Sequence, residues 1–345
     1  MKQEAKRNAT LDVLKGIAII LVIFAHCIQF GSGYEYLESE SYFYNAAFKF
    51  IYSFHMPLFM LISGYLFYFS IQKHSFSYNL KTRFTSLLVP IIVWQTIWIL
   101  LGVFNNHKDE STLFVFNSYL NTLWFITSVF INSLIVLYCH KVTKDSLLIY
   151  GVIFLISLLI PNYYGYNLYV FMYPYFLCAY LVNNIGNIKK ALIKTYIKNK
   201  TILLFCLLVL FSILLSYYDI NDYAYTSGTF IIRNHMLSLT QIKIDIFRWL
   251  IGLIGSLCVI ISVDLICSKC QQSRIIKGLC FIGTKTMGLY IISTYLFKCL
   301  LLLPIKSFCY ITIVLECVII TNLSYLIMWL IEQNKYTRKY LLGGR

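Results

Sequence analysis

The chain has 345 residues, of which 59% are hydrophobic and only 12% charged, with a mean hydropathy of +0.72. A soluble domain must cover itself with polar groups and keeps nearer a quarter of its residues charged, so the composition excludes a cytosolic globule, a disordered chain and a polar-faced solenoid. The formal charge of +15 would suggest nucleic acid on a soluble protein; on this background it marks cytoplasmic loops, and no nucleic-acid partner is expected.

Apolar stretches near 11–30, 47–72, 84–104, 118–140, 146–160, 166–183, 201–218, 246–267, 281–302 and 307–332 each approach the ~20 residues that a helix needs to cross a bilayer. Continuous apolar runs, without strand-like alternation, exclude an outer-membrane barrel, and backbone groups in hydrocarbon must be satisfied within the segment. The expected fold is an all-α integral membrane protein with about ten transmembrane helices, one domain over residues 1–345. The short stretch at 146–160 is separated from the next by Pro161-Asn162 and Gly165. The opening stretch is interrupted by Lys15 and His26 and followed by no small-residue cleavage site, so it reads as an uncleaved span.

With the N-terminus inside, the cytoplasmic segments hold twenty of the 29 Lys and Arg and the outer loops four, Lys108, Arg233, Lys243 and Lys306. That bias predicts both termini on the cytoplasmic side (N-in/C-in) of a multi-pass protein in the inner (plasma) membrane. Most of the eleven cysteines lie in apolar runs, as small hydrophobes do. Cys267-x-x-Cys270 lacks the second pair or the histidines of a zinc site, so no metal is expected.

Ionisable side chains inside spans are costly and mark function by default. The first span carries Asp12, Lys15 and His26. Eleven residues separate Lys15 from His26, about 20° beyond three full turns, which places both on one face about 16 Å apart. Asp12 precedes Lys15 by three residues, within ion-pair reach. Snorkelling by Lys15 and interhelical packing by His26 also suit this pattern. In the second span, Phe54-His55-Met56-Pro57 predicts a kink at Pro57, and Ser63-Gly64 permits close helix approach. Arg83 follows Lys81 in a cytoplasmic segment, where a plain inside-positive residue suits as well, and Trp124 enters the fourth span as an interfacial anchor would. Asp264 and Glu316 are expected to pair with Lys285 or Lys298.

The segment Asn8-Ala9-Thr10-Leu11-Asp12-Val13-Leu14-Lys15, running on to Ala25-His26, resembles the first span of the acyltransferase 3 family of membrane acyltransferases, whose mark is Arg or Lys, ten residues, then His. His55-Met56-Pro57-Leu58-Phe59 through Ser63-Gly64-Tyr65, Arg83 ahead of Pro90, Leu123-Trp124-Phe125, Gly283 to Tyr290 and the tail Arg338-Lys339-Tyr340-Leu341-Leu342-Gly343 are similar to the family as well. The resemblance covers about residues 7–343 and is closest to the branch that acetylates surface-polysaccharide sugars, including fucose O-acetylases. Where that family's ninth span often ends in His, this chain has Ser293, which bears on the acceptor.

The resemblance implies transfer of an acyl group from acetyl-CoA to a hydroxyl of a surface glycan or glycolipid. It implies His26 as general base or transient acyl carrier, with Lys15 and Asp12 as further catalytic residues, and His55, Ser63, Arg83, Trp124 and Tyr290 as substrate- or donor-binding side chains. Coenzyme A is anionic and cytoplasmic, so Lys15, Arg83 and neighbouring Lys suit its phosphates. An alcohol needs its proton removed as it attacks a thioester, and a neutral imidazole offers a ring nitrogen for that proton. A polysaccharide flippase or secondary transporter would also have about ten spans, but should show inverted repeats, and none is seen in the sequence. A glycan polymerase would use the outer loop 219–245 with Arg233 and His235.

The charge bias yields a direct test. A phosphatase active only outside the cytoplasm should be silent when fused after Ser77, Lys144 or Ser273 and active when fused after Ser32 or Gly228. The reverse pattern overturns the N-in orientation.

Overall fold

The structure is a computed structural model that describes residues 9–100, 112–184, 186–233, 235–270, 272–303 and 308–344, with the backbone alone for 112–116, 184 and 186–198. Lys2, Lys6, Arg7, Asn8, Lys108, Lys306 and Arg345, which enter the charge and motif readings above, lie outside the described residues.

Helices follow one another along the chain: α1 Ala9–Phe30, α2 Tyr34–Glu38, α3 Ala46–Tyr52, α4 His55–Lys73, α5 Phe76–Arg83, α6 Val89–Leu100, α7 Thr112–Asn121, α8 Trp124–Thr143, α9 Leu147–Leu158, α10 Tyr166–Asn184, α11 Gly186–Tyr217, α12 Ala224–Ser227, α13 Leu239–Cys270, α14 Arg274–Thr284, α15 Thr286–Leu300, α16 Tyr310–Glu332 and α17 Lys335–Leu342. A two-residue hairpin, Ile232–Arg233 against Met236–Leu237, is the sheet present among the described residues.

Seven helices or continuous helical stretches are long and apolar enough to cross a membrane among the described residues, and the bent pair α14–α15 makes an eighth if it is one span. Among the described residues, each of the ten expected ranges lies mostly on helix. However, α9 has twelve residues, about 18 Å at 1.5 Å per residue, short of a ~30 Å hydrocarbon core. The range 281–302 is not one straight helix: α14 and α15 meet at 76°. The bend lies at Lys285, whose φ of −113° and ψ of 7° leave the helical region, in a Gly283-Thr284-Lys285-Thr286 stretch containing weak helix formers. Apolar side chains are turned outward over long stretches, for instance Ile202, Phe205 and Ile213 on α11 and Ile311, Ile319 and Leu330 on α16. Water would penalise those faces; lipid does not. The chain is a multi-pass membrane protein.

Two compact units partition the chain. The first comprises Met1–Ile62, Ala191–Tyr218 and Ile251–Tyr325. In it α1 packs along α14 and α15 and against α3. The crossing with α14 is made at backbone level, because a Cβ on Gly16 would collide with the Leu279 carbonyl and one on Gly283 with the Asp12 carbonyl. Small residues at a membrane helix crossing let backbones approach and gain dispersion contacts that lipid cannot replace. Phe54 packs on Phe211, and Ser256 Oγ donates to the Phe54 carbonyl at 3.3 Å.

The second unit comprises Ser63–Lys190, Asp219–Leu250 and Leu326–Arg345. Its centre is α8 against α10, with α9 beside them. Helix α5 runs through a π-helical turn, Phe84–Leu88, into α6. Pro90 has no N–H to give the Ser86 carbonyl four residues back, which favours such a turn. Helix α17 lies on this turn and on α6, and the Trp94 indole donates to the Leu341 carbonyl at 2.8 Å.

The α1–α14 crossing predicts a position-specific cost. Gly283→Val should lower stability by about 1–3 kcal/mol through overpacking, read as a fall in melting temperature in detergent. Gly278→Ala, one helical stretch away with nothing within 4 Å of the added methyl, should leave it unchanged.

Candidate active site

Three ionisable side chains of α1 occupy the first unit. Asp12 and Lys15 form the expected i,i+3 pair, Oδ1 to Nζ 2.6 Å, with the carboxylate buried and the ammonium half-buried. Three turns on, the half-buried His26 ring faces its own unit: its Nδ1 lies 3.2 Å from the Tyr52 hydroxyl, and the Phe297 ring meets it edge-on at 4.8 Å.

Tyr52 and His55 owe their positions to a break in the expected second span. The kink lies at Ser53–Phe54, between α3 and α4, not at Pro57 itself. Pro57 sits in the first turn of α4, where its missing N–H costs little, and the interruption falls upstream, at the Ser53 carbonyl that Pro57 cannot serve. The carbonyls ending α3 find other donors: Ser53 N–H reaches Lys49 and Phe54 N–H reaches Ile51. The His55 ring turns back on the same break, its Nδ1–H donating to the Ile51 carbonyl at 2.9 Å. Since a carbonyl only accepts, the proton is on Nδ1, and in the neutral ring Nε2 is a bare acceptor. His55 is 1% exposed, and Tyr52 stacks on Phe48 at 3.9 Å and meets His55 at 4.8 Å.

Tyr290 is buried on α15, two turns before Phe297; its carbonyl accepts from Ser293 Oγ at 3.2 Å and Thr294 Oγ1 at 2.8 Å. Ser293, at the position where the resemblance leads one to look for His, is thus spent on its own helix. Glu316 does not pair with Lys285 or Lys298 as expected. Its carboxyl is 5% exposed, lies over Gly31 at the end of α1, and makes no hydrogen bond among the described residues. Asp264 pairs with Lys200 at 3.3 Å.

The second unit holds the other expected residues. Ser63 is half-buried beside Gly64, which abuts the Phe176 backbone on α10. Arg83, the last residue of α5, lies over the Phe67 ring at 4.4 Å, a cation–π contact. Trp124 opens α8 with its ring edge-on to Tyr225 at 5.9 Å. The structure therefore joins Asp12 to Lys15 and His26 to Tyr52 and His55 in one unit, and carries Ser63, Arg83 and Trp124 in the other.

Sequence reading missed Tyr52, although its i,i+3 spacing from His55 was a usable signal. It also missed a fully buried ion pair on α13. Arg248 is bound to Asp245 three residues before it and to the Gly228 carbonyl, with Ser227 Oγ at 3.1 Å. Gln241 donates to Asp245 at 3.0 Å and to Gly228 at 2.8 Å. A second cluster closes the turn after α8: Asp145 accepts from Tyr150 at 2.8 Å, lies 3.1 Å from the Tyr180 hydroxyl and 2.8 Å from His140 Nδ1. Among the described residues no group of three or more His, Cys, Asp and Glu could hold a metal ion.

The family model described as an acyltransferase domain matches residues 8–333. A protein named Nodulation protein NolL from Mesorhizobium japonicum is 37% identical over 134 residues, 38% of this chain and 35% of its own length. Its namesake from Sinorhizobium fredii is 42% identical over 88 residues, 26% of this chain and 23% of its own. The matched stretches thus span about a third or less of these curated relatives. No solved structure matches.

The α13 pair predicts an asymmetric response. Arg248→Ala should cost about 3–5 kcal/mol by leaving Asp245 buried without its cation, whereas Asp245→Leu combined with Arg248→Met should cost markedly less. Thermal unfolding of the variants checks the order.

Proposed function

The chain belongs to the acyltransferase 3 family, and from that premise we propose that it is a membrane O-acyltransferase, a single acyltransferase domain over residues 1–345. The reaction transfers an acyl group, acetyl in the simplest form, from acetyl-CoA to a hydroxyl of a cell-surface polysaccharide or glycolipid sugar. The enzyme sits in the inner (plasma) membrane with about ten spans and both termini inside. The observation that carries this reading is the placement of His26, which lies within an apolar span yet faces Tyr52 and Phe297 with part of its surface open.

An alcohol is a weak nucleophile at neutral pH, and His26 removes its proton as the oxygen attacks the thioester carbon. The C–O bond forms, the C–S bond breaks through a tetrahedral intermediate, and the proton taken up by His26 passes to the leaving thiolate. Base action at Nε2 requires the tautomer with Nδ1–H, and the Tyr52 oxygen at 3.2 Å is the acceptor that holds it. The hydroxyl thus orients the ring much as a carbonyl or carboxylate does in other general-base histidines. His55 is held by Ile51 with Nε2 free to accept from the sugar. Asp12 fixes Lys15 at the other end of α1, where the pair lies on the donor side. Arg83, a planar fork already stacked on Phe67, is suited to a phosphate of the coenzyme. Ser63, Trp124 and Tyr290 complete the proposed substrate contacts.

His26→Ala should reduce transfer of labelled acetyl from acetyl-CoA to surface glycan by about 10²–10⁴-fold, with expression and melting temperature preserved. Tyr52→Phe should lower kcat by a smaller factor and shift the pH–rate profile while leaving the donor KM unchanged. Undiminished transfer by a folded His26→Ala protein overturns the mechanism, and mass spectrometry of surface glycans with and without the gene reads the acceptor.

A further inference from the structure

One end of the second unit carries a groove that the transfer chemistry leaves unused. Helix α9 ends at Leu158 after twelve residues, well short of the ~20 that cross hydrocarbon. Along its second half, between it and α8 and α10, lies a groove of about 250 Å³. Ile131 and Ile135 from α8, Ile153 and Ile156 from α9 and Val170 from α10 form its walls, and Ile156 is 54% exposed.

The polar atoms around the groove are bonded to the protein itself. Asn132 Nδ2 donates to Ser128 Oγ at 3.2 Å, Ser157 Oγ to the Phe154 carbonyl at 2.6 Å, Tyr169 OH to the Leu120 carbonyl at 3.0 Å and Tyr173 OH to the Tyr150 carbonyl at 3.1 Å. With these groups satisfied internally, the groove offers a polar ligand little and a hydrocarbon chain a close-fitting wall.

The groove is continuous with an aromatic corner. Ile131, Tyr166 and Tyr169 line the groove and also belong to the apolar cluster with Leu168 and Ala224 on which Trp124 packs. Trp124 meets Tyr225 at 90°, and Tyr225 is 47% exposed. The loop bearing Tyr225 is tied down at the same end: Asn167 Nδ2 donates to the Ala224 carbonyl at 3.0 Å, Thr229 Oγ1 to the Asn167 carbonyl at 3.2 Å, and Ile231 N–H to the Leu158 carbonyl at 3.2 Å. Two perpendicular rings fixed in this way present the apolar and polar edges that suit the C–H face and hydroxyls of a sugar ring.

We propose that this end of the second unit binds a lipid-linked sugar, with its hydrocarbon tail in the groove beside α9 and its glycosyl head on the Trp124–Tyr225 corner. The binding stands on these contacts alone; only the role of the head as acyl acceptor rests on the acyltransferase reading. A bare membrane lipid would use the groove without the corner, so the two occupants separate by experiment.

The full chain in phosphatidylcholine nanodiscs is photolabelled with dodecyl glucoside bearing a diazirine at the chain end, and in parallel with dodecylphosphocholine bearing the same group. The glucoside probe should label the peptides containing Ile131–Ile135, Ile153–Ile160 and Tyr166–Tyr173 about tenfold more than the phosphocholine probe, a difference of about 1.4 kcal/mol. Ile156→Trp, at a lipid-facing position, should abolish groove labelling by both. Tyr225→Ala should bring the two probes to parity while groove labelling persists. Equal labelling of the wild-type protein by both probes, or labelling elsewhere that Ile156→Trp leaves intact, overturns the proposal. Acyl transfer that survives His26→Ala would overturn the mechanism above and leave this labelling pattern as it is.

Discussion

A polar group inside hydrocarbon has no water to fall back on, and its orientation is set by whatever neighbour the fold can offer. In the first unit that constraint falls on His26. The neighbours come from two directions: Phe297 on α15 closes one side of the ring, and the Tyr52 hydroxyl at the end of α3 meets its Nδ1. The first contact joins α1 to α15, and the second comes from the last residue of α3, just before the break at Ser53–Phe54. Tyr52 and His55, three residues apart, stand on either side of the break at Ser53–Phe54, with the Ile51 carbonyl taking the His55 ring. On the opposite flank, α1 can lie deep against α14 because Gly16 and Gly283 each meet a carbonyl of the other helix. The imidazole is thus set between a tyrosine from α3 and a phenylalanine from α15, on a helix that two glycines seat against α14.

The second unit solves the same problem by tying its ends. At one end Asp145 gathers Tyr150, Tyr180 and His140, fixing the turn after α8 to the end of α10. At the other, Arg248 and Asp245 neutralise each other and draw in the loop carbonyl of Gly228. Buried ion pairs gain little over well-packed apolar residues, so these are poor sources of stability. Their directional bonds do specify which loop lies over which helix end. Between the two tied ends the helices are joined chiefly by apolar contacts, and the short α9 leaves a gap there.

Periodicity made α1 legible. Lys15 and His26 stand eleven residues apart in an otherwise apolar run, and Asp12 with Lys15 has ion-pair spacing; both signals are local, so the helix geometry carries them into the structure. The apolar helices were legible from their continuous apolar runs, and seven or eight of them are long enough to cross a membrane among the described residues. The site residues that escaped depend on tertiary partners. Tyr52 looks like one more aromatic in a chain with 29 tyrosines, and only the packing of α3 on α1 brings it to His26. Glu316 looked like half of an ion pair, yet helix crossing brought it to Gly31 rather than to a lysine. The kink was assigned to Pro57 because proline is visible; its physical effect is felt four residues earlier, at the carbonyl left without a donor. The 76° bend at Lys285 was hidden because apolar content on both sides reads as one uninterrupted span.

The Asp12–Lys15 pair also redistributes what the expected site must do. At 2.6 Å, with the carboxylate buried, the aspartate cancels much of the lysine charge and fixes its rotamer. Such a lysine attracts an anion less strongly than a free one, since a phosphate approaching Nζ meets the carboxylate's opposing field. The polyanionic donor in the proposed reaction must then draw most of its attraction from cations outside α1. Arg83, stacked on Phe67 at 4.4 Å, is the cation proposed for this, because a guanidinium matches phosphate geometry. Lys15 is left with a narrower task, held in one rotamer by Asp12 in the first turns of α1, eleven residues before His26.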